Sequence, residues 1–69
     1  MKLSARNKLS GTVVGIDKGA VNATVQIDLG GAVIVTAMIT NASVEELGLK
    51  VGKTAYAIVK ASDVMVGAD

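Results

Sequence analysis

Apolar and polar residues alternate with a period of two over most of this chain, the spacing that turns one face of a strand to a core and the other to water. The pattern is cleanest from Val21 to Leu29, where Val21, Ala23, Val25, Ile27 and Leu29 interleave with Asn22, Thr24, Gln26 and Asp28. It is looser from Lys8 to Ile16, where Leu9, Gly11, Val13 and Gly15 oppose Ser10, Thr12, Val14 and Ile16. Two glycines inside a strand predict a sharp bend or a close backbone approach, as at a barrel corner. Asp17-Lys18-Gly19 predicts a turn, and Gly30-Gly31 predicts a two-residue hairpin connection. From Ala32 to Thr40 both faces are apolar, with Val33, Val35, Ala37 and Ile39 on one and Ile34 and Met38 on the other. A strand with no polar face, in so short a chain, predicts a covering partner.

The period changes at Ser43-Val44-Glu45-Glu46, a capping-box pattern with Ser43 as N-cap and Glu46 at N3. Val44 and Leu47 would face inward, Asn41 and Ala42 would extend the helix, and Gly48 would stop it. Lys50-Val51-Gly52-Lys53 then turns into Tyr56–Val66, which reads as a strand, an irregularity around Lys60 and Ser62, and a second short extended run. The expected fold is all-β (mainly β): a small five-stranded OB-like barrel with one short helix between strands 3 and 4, filling residues 1–69 as a single domain.

Composition sharpens the demand for a partner. A chain of 69 residues buries only about 60% of the surface its unfolded state exposes. This one has no Phe or Trp, and Tyr56 is its single aromatic residue. With neither Cys nor His, disulfides and the usual transition-metal ligands are missing, so self-association is the remaining staple. Half the residues are hydrophobic (51%), more than so small an interior can hold. Charge adds little: seven Lys+Arg against six Asp+Glu give +1. That balance provides no field for nucleic acid or an anionic membrane. The opening Met1-Lys2-Leu3-Ser4-Ala5-Arg6 lacks the apolar core of a secretory signal, and Ala32–Ile39 is too short to span a bilayer. The expectation is a soluble, cytoplasmic protein.

General acid–base or nucleophilic catalysis needs an activated group, and the chain has no His, no Cys and no carboxylate pair in an apolar setting. No phosphate loop or dinucleotide fingerprint is present either. What remains is a set of hydrogen-bond donors at element ends: Ser4, Arg6, Asn7, Thr40, Ser43, Lys60 and Ser62. Such donors suit an anion, above all beside a helix start. Each also has a plainer reading. Ser43 fits a helix cap, Lys60 a snorkelling surface cation, and Arg6 a solvated terminal side chain, while Asp63 could neutralise Lys60.

Ser4-Ala5-Arg6-Asn7, Ser43-Val44-Glu45-Glu46-Leu47-Gly48 and Val59-Lys60-Ala61-Ser62-Asp63-Val64 together resemble the molbindin (Mop) family. These are small bacterial molybdate-binding proteins built from one TOBE-type domain, and the likeness runs from Leu3 to Val66. It implies a homohexamer, a trimer of dimers, with oxyanions held between subunits. It further implies Ser4 and Arg6 as ligands from one subunit, and Thr40, Ser43, Lys60 and backbone N–H groups around Ala61 and Ser62 from its neighbour. A second type of site near the threefold axis has largely backbone ligands, for which the turn Lys18-Gly19-Ala20 is the expectation here.

The implied ligand is molybdate or tungstate, with no organic cofactor, no directly ligated metal and no catalysis. Molybdate at neutral pH is a dianion without protons, so a pocket of donors alone satisfies it, whereas protonated phosphate would turn an O–H toward another donor. The implied role is storage and homeostasis of the oxyanion. Two rivals carry no small-molecule ligand. An OB-like nucleic-acid binder would want stacking aromatics and a basic groove. An oligomerisation module appended to a transporter or regulator would want a linker, and the chain opens directly at Met1.

Overall fold

The computed structural model describes residues 4–69. Its alternating runs become four strands: β1 (Asn7–Lys18), β2 (Asn22–Gly30), β3 (Val33–Thr40) and β4 (Thr54–Val59). The helix α1 (Asn41–Glu46) lies between β3 and β4, as the change of period predicts, and a 3-10 turn at Ala61–Asp63 follows β4. All pairings are antiparallel in the order β3-β2-β1-β4, so β3 and β4 are the two edges of one curled sheet. The expected fifth strand and closed barrel do not form among the described residues. The Lys60–Asp63 turn redirects the chain, and Val64–Val66 continues extended but unpaired. The mainly β class stands, as an open half-barrel of four strands with one short helix.

The curl originates in β1. Its first half, Asn7–Thr12, pairs with β4, and its second, Thr12–Lys18, pairs with β2. At the changeover a Cβ on Gly11 would lie 2.5 Å from the Asp28 carbonyl oxygen and 2.7 Å from Ile27 Cγ2. Only a residue without a side chain lets the two backbones come this close. A bulge between Val13 and Gly15 then shifts the register. This is why the simple alternation of β1 misplaces its far end: Val13 is fully buried, yet Ile16, on the opposite face by a strict period of two, also packs on the core.

That core is Val13, Ala23, Val25, Ile27, Val44, Ala55 and Ala57, without an aromatic ring. Val21, expected on the inner face of β2, lies outside the strand and is exposed. The β2–β3 connection is the two-residue turn Gly31-Ala32, one residue later than expected, with both residues at positive φ (61° and 64°). That is the type I′ geometry whose twist matches a hairpin. On the outer faces Ile34, Met38, Tyr56 and Ile58 all remain exposed, the surface for which the sequence demands a cover.

Two glycine substitutions test the changeover. Gly11→Ala drives a methyl into a backbone carbonyl and is expected to lower stability by about 2 kcal/mol, as overpacked sites do. Gly15→Ala meets only the flexible end of Gln26, at 2.9 Å, and is expected to be near neutral. Urea titrations of both variants check the contrast.

Candidate functional site

The strand register decides where the donors fall. Asn7 pairs with Val59 across β1 and β4, and Asn7 Nδ2 donates to the Val59 carbonyl at 3.0 Å. Continued by one residue, that register sets Arg6 opposite Lys60, with Ser4 beyond on one strand and Ala61 and Ser62 on the other. Both cations are exposed. Like charges placed opposite one another repel, and among the described residues the only ion pair is Lys18–Glu45. Asp63 does not neutralise Lys60: it turns back through its backbone, its N–H donating to the Lys60 carbonyl at 2.9 Å.

The second group of donors is at the helix start. Thr40, not Ser43, is the N-cap of α1, and its Oγ1 accepts from the Ser43 N–H at 3.0 Å. Thr-x-x-Ser and Ser-x-x-Glu overlap here, and the earlier one wins because Thr40 is the last residue of β3 with an extended backbone (φ −71°, ψ 152°). The Thr40 hydroxyl in turn donates to Ser43 Oγ at 2.8 Å, which leaves the Ser43 hydroxyl proton to point elsewhere. Gly48 ends the helix as expected, with φ +63° and bonds from Gly48 N–H to the Glu45 carbonyl and from Leu49 N–H to the Val44 carbonyl. No strand pairing or hydrogen bond joins Thr40 and Ser43 to the Arg6–Lys60 end of the same chain.

The turn offered for a second site is already committed. Lys18 Nζ bonds Glu45 Oε1 at 2.8 Å, the Gly19 N–H donates to the Asn22 carbonyl at 2.7 Å, and the Gly19 carbonyl accepts from Asn41 Nδ2 at 2.9 Å. Of Lys18, Gly19 and Ala20, the first two have their donors occupied. Asn41 escapes the sequence reading. Its N–H donates to the Val21 carbonyl, which docks the helix on this turn, and its buried Oδ1 has no partner. An Asn just after a Thr cap was the available signal. The Lys18 contact holds the Glu45 carboxyl below its ordinary value, through the hydrogen bond first and the charge second.

Two concavities mark the chain. One, of about 290 Å³, is lined by Gly15, Ile16, Asp17, Thr24 and Gln26. The other, of about 510 Å³, is apolar and lies between β3 and β4. Neither is lined by Ser4, Arg6, Ser43 or Lys60, so the donors sit on open surface of the single chain. Among the described residues no three of Asp, Glu, His or Cys gather to hold a metal ion, and no helix is long and apolar enough to cross a membrane.

The TOBE domain family matches residues 3–66. A probable molybdenum-pterin-binding protein of Haemophilus influenzae is 55% identical over 69 residues, the whole of both chains. Among solved structures, MopII of Clostridium pasteurianum, in an apo form, superposes with a TM-score of 0.89 at 48% identity, over 97% of this chain and all of that one. The cytoplasmic molybdate-binding protein ModG, crystallised with molybdate bound, gives a TM-score of 0.94 at 51% identity, over all of this chain and 49% of its own. Each of these relatives is named for binding, none for a reaction.

Thr40→Ala is expected to cost about 1 kcal/mol through loss of the cap, and Ser43→Ala less, because the backbone bond to Thr40 survives; thermal or urea unfolding measures both. The Lys18–Glu45 pair generates a pH signature. Since the Glu45 pKa is lowered on folding, its contribution is fully present above the unfolded carboxylate value and is lost as pH falls through the lowered one. Lys18→Met is expected to be slightly less stable than the parent at neutral pH, with the two curves converging in acid and in high salt. A difference that persists in acid would contradict the pairing.

Proposed function

Because the chain belongs to the TOBE domain family, among its single-domain molybdenum-pterin-binding members, we propose that it binds molybdate, and tungstate with it, at sites shared between copies of itself. The observation that carries this reading is the strand register that sets Arg6 opposite Lys60 with no carboxylate between them. Two facing cations flanked by Ser4 and Ser62 cost free energy unless an anion joins them. A dianion that only accepts hydrogen bonds suits donors of this kind, and its larger size separates it from sulfate.

The proposed ligand set is Ser4 and Arg6 from one copy, with Thr40, Ser43, Lys60 and the N–H groups of Ala61 and Ser62 from another. Every chain carries both halves, so a two-fold pairing generates two equivalent sites, and three such pairs make the hexamer that this function uses. The exposure of all these donors on one chain favours sharing, since an ion held there would keep much of its contact with water. The Ser43 hydroxyl, held by Thr40, serves as the directed donor of its half. The turn at Lys18–Ala20 is left out of this set. The role is storage and homeostasis of the oxyanion in the cytoplasm, the compartment named for ModG. Ligand held between copies also stabilises the assembly by mass action. The whole chain works as one unit, residues 1–69.

Isothermal titration of molybdate tests this directly. Arg6→Ala and Lys60→Ala are each expected to weaken binding tenfold or more, about 1.4 kcal/mol. When the two variants are unfolded together and refolded as mixed assemblies, a fraction of sites regains both cations and tight binding. Parental affinity in either single variant removes the site. Failure of the mixture to recover any tight sites places Arg6 and Lys60 of one chain in the same site and removes the sharing.

A further inference from the structure

The curled sheet leaves an apolar groove of about 510 Å³ between its two edges, lined by Val25, Val35, Ile39, Leu49 and Ala57 among others. β3 pairs only with β2, and β4 only with β1, so each edge beside the groove carries unpaired backbone N–H and carbonyl groups. An apolar slot between two open edges has the form that an added strand fills, with the backbone supplying affinity and alternate side chains supplying fit.

The same chain carries a segment of that description. After the 3-10 turn, Val64 is extended (φ −89°, ψ 124°), and Met65 and Val66 are 94% and 92% exposed. Val64-Met65-Val66 is apolar and rich in β-branched residues, the composition that favours strands. It makes no strand pairing with its own sheet. Folding it back into its own groove would mean opening the turn that the Asp63 N–H to Lys60 carbonyl and Val64 N–H to Ala61 carbonyl bonds close. A second copy needs no such rearrangement.

We propose that Val64–Val66 of one copy enters the β3–β4 groove of another as an added strand, and that the exchange is reciprocal. This rests on the self-association in the functional reading above and is independent of which ion is bound. It explains how the chain covers the groove and the tail at once, and it fixes the tail as the element that holds two copies together. A foreign apolar peptide in the groove is the competing occupant.

The parent chain has no cysteine, so introduced thiols report contacts without background. Ala37→Cys lies in the groove on β3, and Val64→Cys and Val66→Cys share one face of an extended tail. Pairing Ala37→Cys with either tail variant, in molybdate-free buffer under mild oxidation, is expected to give chain-to-chain disulfides that dominate over those of the single variants. Disulfides confined within one chain, or none with either tail position, overturn the exchange. Truncation after Asp63 is expected to shift native mass spectra from oligomer to monomer with the circular dichroism of the sheet retained. An unchanged oligomer after truncation overturns it as well, and leaves the groove to another occupant. Molybdate titration of the parent is scored separately, so loss of the ion-binding reading leaves these results interpretable.

Discussion

β1 has to be the middle strand for two partners that cannot lie in one plane, and the structure depends on how it does so. Its first half holds β4 and its second half holds β2, with Gly11 at the changeover so close to β2 that no side chain would fit. The bulge after Val13 adds local twist where the strand must turn from one neighbour to the other. Curl, core and surface follow from this one accommodation. Val13 becomes the best-buried side chain at the inside of the bend, and β3 and β4 are swung toward a common groove without meeting.

The candidate chemistry is set by the far end of the same strand. Because Asn7 lies against Val59, whatever precedes Asn7 lies against whatever follows Val59, and those residues are Arg6 and Lys60. The Asn7 side chain ties this end down by bonding the Val59 carbonyl. Backbone pairing thereby enforces a juxtaposition that the two side chains alone would avoid. A protein that only needed solubility gains nothing from this arrangement, whereas one that captures an oxyanion begins with the attraction already assembled. Lacking a deep polar pocket of its own, the chain has reason to complete its ligand shell with another copy, which also covers apolar surface the small core cannot absorb.

Most of the strands were legible because alternation is a local property: β2 falls where Val21–Leu29 predicts it to within a residue, and the helix lies in its expected place between β3 and β4. Bends were legible only as glycines. Gly11 announced a close approach, but nothing local told that the bulge would bring Ile16 to the core side. The helix cap was misplaced by three residues because Thr40 and Ser43 both begin acceptable patterns, and the end of β3 decided between them. Long-range pairing was the least accessible. The bonds of Glu45 to Lys18 and of Asn41 to Gly19 depend on where the helix docks, and the meeting of Arg6 with Lys60 depends on a register across most of the chain. The expected fifth strand failed for a related reason: Val64–Val66 has strand composition, but composition does not supply a neighbour.

Thr40 illustrates what happens when one atom serves both architecture and ligand. Asp and Asn are at least as good at capping a helix, and Val would keep the β-branch that suits the end of a strand. Asp would set a negative charge beside the proposed anion, Val has no oxygen to receive the Ser43 N–H, and Asn has no hydroxyl to pass a hydrogen to Ser43 Oγ. Serine alone among the common caps retains both bonds. Position 40 should therefore tolerate little variety during laboratory evolution: selection for stability alone would drift toward Asp, and only selection for the bound oxyanion would hold it at a hydroxyl.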